Sequence, residues 1–272
     1  MSIRLRLAFC AAGCATVLLL FSGAGGQKTQ KPEDIAERSN LAYGSRIALY
    51  GIQRNGVIKS QVKLVSPGGV REGTATNKFI RKPKLGEDLL MLNLELGDSK
   101  YAIGFDGSKG WILSNGEIQD PPDPETMDAF RKAHLHSYET LLRFKENDAK
   151  LEYVGSKQFS PNNELDMLDL TLPDGTQTRY EISRKTGRII YLGYEDRPIN
   201  SEAKPARYRL YFKDFRVIQQ TLVPFEIQVF RDGVLTEDRK VLEVAYNVQL
   251  DEAAFKVENA HKAGDAAKPA TP

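Results

Sequence analysis

Over residues 77–115 the chain repeats one pattern, a short apolar run followed by a dipeptide that can turn. Phe79-Ile80-Arg81-Lys82-Pro83 opens it, Leu89 to Leu96 follows, and Gly97-Asp98 leads into Tyr101-Ala102-Ile103-Gly104-Phe105. Asp106-Gly107 then leads into Gly110-Trp111-Ile112-Leu113, and Asn115-Gly116 closes the run. A strand sends alternate side chains to opposite faces, so Leu90, Leu92, Leu94 and Leu96 share one face while Asn93 points the other way. Tyr101, Ile103 and Phe105 likewise share a face on the next strand. The turns join these strands into an antiparallel meander with one large apolar face. What covers that face decides what the protein does.

The rest of the chain extends the sheet. Pro32-Glu33-Asp34 starts a short helix that Gly44 ends. Residues 47–52 read as a strand with apolar groups on both faces, and Asn55-Gly56 as a hairpin turn. Residues 57–65 read as a half-buried strand with Ile58, Val62 and Leu64 inward. Pro121-Pro122-Asp123-Pro124 breaks the sheet, and Asp123 can cap a helix running from Glu125 to Lys145. Its stripe of Met127, Phe130, His134, Tyr138, Leu141 and Leu142 must lie on something apolar. Alternation resumes over 151–159, 165–172, 179–182, 189–194 and 207–213, then over 225–229 after a break at Val223-Pro224, and over 242–248. The expectation is a mainly β domain: a single curved antiparallel sheet, an incomplete β-barrel of about ten or eleven strands, with a helical lid.

Residues 1–26 read as a cleaved secretory signal, with Arg4 and Arg6 at its charged start, an apolar centre over 7–21, and small residues before Gln27. That centre is shorter than the ~20 residues a membrane span needs. Ala12-Gly13-Cys14 invites a lipoprotein reading, but the strongest apolar stretch, 17–21, comes after the cysteine. Cys10 and Cys14 both fall in this segment, so the mature chain has no thiol or disulfide chemistry. The sheet domain is then 27–259, and the Ala-, Lys- and Pro-rich residues 260–272 form a disordered tail. The formal net charge is +2, and removing Arg4 and Arg6 leaves basic and acidic residues in equal number. A nucleic-acid surface needs a clustered basic excess, so none is expected.

Enzyme motifs are missing. The sequence has no Gly-x-Ser-x-Gly, no phosphate-binding Gly-rich loop before a helix, and no His-Glu-x-x-His. On a helix His134 and His136 face apart and cannot share a metal; one interfacial and one solvated histidine is the expectation. No carboxylate pair is spaced for acid–base work. Catalytic residues, metal and cofactor are therefore all expected to be none. An outer-membrane barrel would turn its apolar face to lipid, whereas a helix interrupting the strands suits a lid. Binding remains, and on the residues alone a filled core and a ligand cavity both satisfy the pattern. A helix of about 20 residues is only ~30 Å long, too little to blanket ten strands. Either the sheet curls on itself or something else fills the gap.

Several segments resemble the LolA/LolB-like superfamily of periplasmic lipoprotein carriers, which includes the regulatory RseB-like domains. They are Phe79-Ile80-Arg81-Lys82-Pro83, Asp106-Gly107-Ser108-Lys109-Gly110-Trp111 with the helix after it, Tyr211-Phe212-Lys213-Asp214-Phe215-Arg216, Leu222-Val223-Pro224-Phe225-Glu226-Ile227, and Asn247-Val248-Gln249-Leu250-Asp251 up to Phe255. The chain departs from the family at Lys84-Leu85, where a second Arg is usual, and in an extended loop around Asn200. The resemblance implies a monomeric periplasmic carrier for acyl chains of lipoproteins or lipids, exchanging cargo with an inner- or outer-membrane donor or acceptor protein. The alternative it implies is an RseB-like module that binds an envelope partner protein. Leu90, Leu92, Leu94, Phe105, Trp111, Leu168, Leu170, Tyr208, Leu210 and Phe212 are the expected cavity wall. Met127, Phe130 and Leu141 are the lid's expected inner face, and Arg81, which matches the family's Arg-x-Pro, is a polar contact to lid or edge.

Overall fold

The sheet is larger than the alternation suggests. The computed structural model describes residues 30–197, 199 and 204–260. The expected signal segment, the loop at Asn200 and the tail from 261 onward lie outside them. The strands are β1 (Asn55–Ser66), β2 (Gly69–Ile80), β3 (Leu89–Leu96), β4 (Ser99–Phe105), β5 (Gly110–Ser114), β6 (Glu117–Gln119), β7 (Lys150–Ser160), β8 (Asn163–Thr171), β9 (Gln177–Ser183), β10 (Ile189–Asp196), β11 (Ala206–Ile218), β12 (Thr221–Arg231) and β13 (Val234–Tyr246). They form one antiparallel sheet in the order β6-β5-β4-β3-β2-β1-β13-β12-β11-β10-β9-β8-β7. Two meanders thus meet where β1 pairs with β13, and β6 and β7 remain as edges, so the sheet does not close into a barrel.

The strands missing from the sequence reading carry weak signals. The first half of β2, from Gly69 to Thr74, is mostly polar and exposed, and all three residues of β6 are exposed. β12 runs through Pro224, where a break was expected. Proline lacks an N–H to donate, and Pro224 sits before the ladder to β13 begins at Glu226. Asn55-Gly56 does not turn the chain but starts β1. The Asn55 side chain accepts from Val248 N at 2.9 Å and its carbonyl accepts from Asn247 N at 3.0 Å. Gly56 is there for close approach, because a Cβ would fall 2.8 Å from the Tyr246 ring.

Helices α1 (Pro32–Tyr43), α2 (Ser45–Ile52), α3 (Pro124–Leu135) and α4 (Tyr138–Leu142) lie on one face of the sheet, and a short α5 (Val257–Ala260) ends the described chain. α1 has Pro and acids in its first turn and stops at Gly44, φ 127°. α2 replaces the expected strand at 47–52. Only Leu49 of α2 is buried, and Ile47 is 87% exposed, so apolar composition there did not mean burial. The single helix expected over 125–145 is two. Asp123 caps α3 through Thr126 N at 2.8 Å, but His136 and Ser137 leave the helical region. Thr140 Oγ1 donates to Leu135 O at 2.7 Å, and Tyr180 donates to Ser137 O at 2.9 Å, fixing the break to the sheet.

The register identifies the helix-covered, inner face. Leu90 pairs with Phe79 and Phe105, Leu92 with Asn77 and Ile103, and Leu94 with Ala75 and Tyr101. The same face continues through Ile58, Ser60 and Val62, across to Ile227 and Phe212, and on to Leu192, Tyr180 and Leu168. Where α1 and α4 cover β7–β12 it is solidly packed. Ile35, Ala36 and Tyr43 of α1 and Leu141 and Leu142 of α4 interlock with Leu168, Leu170, Tyr180, Ile182 and Phe212. The outer face of β3–β5 has its own cluster, Leu89, Met91, Trp111 and Leu113, closed by Phe255.

Candidate functional site: the space beneath α3

Over β1–β3 and β10–β13 the inner face is covered differently. α3 crosses it, and none of its residues is fully buried. Two voids lie beneath. One, of about 260 Å³, is lined by Ile58, Ser60, Asn77, Phe79, Leu90 and Leu92 of the sheet, Val223, Ile227 and Val241 opposite, and Phe130 above. The other, of about 540 Å³, runs under Ala129 and His136 against Leu64, Tyr208, Leu210, Phe212, Ile227 and Val229. Ala133, Ser137, Tyr138, Ile227 and Arg239 line both, so the two are compartments of one site. Together they fall in the size range of small-molecule sites, ~300–1,000 Å³. A larger hollow of about 730 Å³ is lined by Tyr194 and Tyr208, but its other lining side chains are polar or charged, including the pairs Arg179–Asp169 and Arg209–Glu181.

Polar contacts tether α3 and its extension. Asp88, 2% exposed, lies 3.1 Å from His134 Nε2 and accepts from Arg143 Nη1 at 2.5 Å and from Lys82 N at 2.8 Å. Burial pushes the Asp88 carboxyl upward, but the His134 hydrogen bond and the Arg143 charge outweigh it, and the group sits below its ordinary range. Lys132 pairs with Asp128 and Asp196, both at 2.5 Å, and the Arg131 guanidinium sits 4.9 Å from the Phe105 ring centroid. His136 stacks on Tyr194, centroids 3.8 Å apart, and its Nδ1 lies 2.7 Å from Thr178 Oγ1. Burial holds its imidazole down to about 4. The expectation of one solvated histidine fails, because both histidines are partnered. Among the described residues no group of three or more His, Cys, Asp or Glu could hold a metal.

The residues singled out from the sequence fall in three places. Leu90 and Leu92 line the smaller compartment, and Tyr208, Leu210 and Phe212 line the larger. Leu94 packs beside them with Val62 and Ala75, and Phe105 is buried under Arg131. Leu168 and Leu170, also expected as cavity wall, are wholly buried under α1 and α4, and Leu141, expected on the lid's inner face, is an α4 residue packed into that cluster. Trp111 stands on the opposite face: it pairs with Gly104, its Nε1 donates to Phe255 O at 2.7 Å, and a Cβ on Gly104 would fall 2.2 Å from its ring. Counting by twos from Phe105 would put it on the inner face; the turn at 106–109, which pairs Phe105 with Gly110, shifts the parity. Phe130 faces the void, and the Met127 methyl lies 2.1 Å from where a Gly110 Cβ would be. Arg81 pairs with Glu139 of α4 at 2.9 Å and donates to Gln53 Oε1 at 2.9 Å. Sequence reasoning missed Ser60, Asn77, Arg239 and Ala133. The alternation that placed Ile58 and Val62 inward includes Ser60 too; Arg239 gives no such signal, since its charge disguises its face.

No family model matches the chain, and no curated protein matches it by sequence. Its fold, however, is found among solved structures. An outer membrane lipoprotein-sorting protein domain from Vibrio parahaemolyticus superposes with a TM-score of 0.58 at 11% identity, over 84% of this chain and 97% of that one. A DUF1329 family protein from Desulfovibrio piger gives 0.56 at 12% identity, over 84% and 99%. A LolA superfamily protein from Nitrosomonas europaea gives 0.55 at 10%, over 84% and 99%. The chain has a LolA-like fold.

Proposed function

We propose that this LolA-like half-barrel is a periplasmic carrier that takes acyl chains of lipids or lipoproteins into the space beneath α3. The observation that carries the reading is the contrast along one apolar face, solid under α1 and α4 and hollow under α3. The likeness to the lipoprotein-sorting domain from Vibrio and the LolA superfamily protein from Nitrosomonas supports it, and the signal-like residues 1–26 support a periplasmic location. Binding is by partition: a chain gains about 0.8 kcal/mol per CH₂ withdrawn from water, so a tail of about sixteen carbons gains on the order of 10 kcal/mol before ordering costs. Such a gain must be matched at donor and acceptor, which requires a cover that opens readily. α3, held by ion pairs and a ring contact and burying no residue completely, suits that role.

The test is native mass spectrometry of the protein purified from a periplasmic fraction, with uptake of a fluorescent fatty acid by the delipidated protein. Co-purifying lipid or lipoprotein and saturable uptake are expected. A protein that carries nothing and takes up nothing ends the proposal, and recovery of one envelope protein without lipid replaces it with a partner-binding module.

A further inference from the structure

Resting on that reading, we infer that the cargo is an acidic amphiphile, whose phosphate or carboxylate headgroup sits at Arg71 and Arg239 while its tail runs inward beneath α3. The inner face changes polarity row by row along the strands. The rim row joins Arg71, Leu64 and Glu237. One row deeper, Val62 pairs with Gly73 and Arg239, and Arg239 with Ile227. Beyond it the rows are Ala75, Ser60 and Val241, then Asn77, Ile58 and Val244, then Phe79, Gly56 and Tyr246. From Gly73 to Phe79 this spans about 20 Å, more than half the ~30 Å hydrocarbon thickness of a bilayer, so one acyl tail fits along it.

A guanidinium between Val62 and Ile227 is costly unless anions meet it. Glu237 does so through one oxygen: Nε and Nη2 of Arg239 both reach Oε1, at 2.7 and 2.6 Å. Five donors are available on that fork, and a phosphate or carboxylate in the compartment can take others. Arg239 lines both compartments, so an anion there leaves the tail pointing into the smaller one. Arg71 lines the larger compartment and forms no ion pair among the described residues. The remaining charges on that wall are Lys132, Asp196 and Glu237, giving three cations to two carboxylates, with Lys132 already paired. Ser60 adds a buried hydroxyl with no partner on the route of the tail, within reach of an ester oxygen.

The experiment titrates the delipidated protein with palmitate, with palmitoyl lysophosphatidic acid and with neutral monopalmitoylglycerol. Acidic ligands should bind about tenfold tighter or more, the effect of one charge-assisted hydrogen bond, and added salt should shrink the difference. Whichever acid binds tighter identifies carboxylate or phosphate as the natural headgroup. Arg71→Gln and Arg239→Gln should abolish the preference while sparing the neutral ligand, and Glu237→Gln should strengthen it. Because Arg239→Gln also strands Glu237, the Arg71→Gln and Glu237→Gln pair decides the matter if that variant folds poorly. Equal binding of all three ligands, unmoved by these substitutions, overturns the headgroup assignment and leaves the carrier standing. Failure of every ligand to bind overturns the carrier itself.

Discussion

Ala133 offers the sharpest probe of the space beneath α3. It sits on α3, lines both compartments and is exposed to them. Ala133→Phe places a ring in the junction. With the void to receive it, burying the ring gains up to about 1.5–3 kcal/mol and the melting temperature holds or rises. If side chains fill the region in solution, overpacking costs about 1–3 kcal/mol, and a domain of this size loses roughly 2–4 °C per kcal/mol. The cost in binding follows from the tail. A ring that excludes about four methylenes forfeits about 3 kcal/mol, roughly two hundredfold in Kd. Ala36 is the control: it is wholly buried in the solid half, and Ala36→Phe should lower the melting temperature. Circular dichroism melts and fluorescent fatty-acid titrations read both quantities. An Ala133→Phe protein that melts several degrees lower and still takes up fatty acid normally refutes the reasoning.

Three further outcomes follow from the same geometry. Burial holds His136 down to about 4 against a reference of 6.5, so between those values the unfolded chain binds a proton the folded chain refuses, and stability rises with pH across that window and is level above it. The contribution is on the order of 3 kcal/mol; urea midpoints should show His136→Phe with a shallower slope over pH 4 to 6.5, and identical slopes would contradict the assignment. Gly104→Ala drives a Cβ into the Trp111 ring at 2.2 Å and should melt several degrees lower with red-shifted emission, whereas lipid added to the native protein should leave the emission of Trp111 unchanged, because that ring lies on the outer face. Arg81→Leu strands Glu139 and should cost about 3 kcal/mol or more, most of it recovered in the Arg81→Leu/Glu139→Leu double variant; a silent single variant would mean the pair holds nothing.

The sequence disclosed the sheet better than its cover. Alternation at Leu90, Leu92 and Leu94 and the turns at 97–98, 106–107 and 115–116 correspond to the observed ladder, because a half-buried strand writes its period into the chain. Residues 47–52 were misread because the same apolar letters serve a strand and a short helix, and Ile47 is solvent-facing in the helix that forms. The break at His136-Ser137 depends on Thr178 and Tyr180, more than forty residues away, so no local pattern announces it. The site divides in the same way. Strand period placed Leu90, Leu92, Tyr208, Leu210 and Phe212 on the right face, but Leu168 and Leu170 are equally inward-facing and lie under α1 and α4, and periodicity cannot say which helix lies above. Arg239 is the converse, a charge on the apolar face that only cross-strand register reveals.

The uneven cover follows from helix length. α1 is 12 residues long and α3 is 12, each about 18 Å. Neither can span thirteen strands, so packing them edge to edge over the whole face was never available to this chain. α1 and α4 lie together over β7–β12 and bury Tyr43, Leu141 and Leu142 completely. Lifting that pair exposes several fully buried side chains at about 1.5–3 kcal/mol each. α3 stands apart beyond the break and buries none of its residues fully, so lifting it costs the partly solvated Lys132 ion pairs, the Phe130 and Met127 contacts, and the His134 contact to buried Asp88, which keeps its Arg143 and Lys82 partners. In the proposed carrier, opening therefore falls to α3 rather than to α1 and α4. A carrier needs that division, because a cover bound as firmly as α1 would trap its cargo.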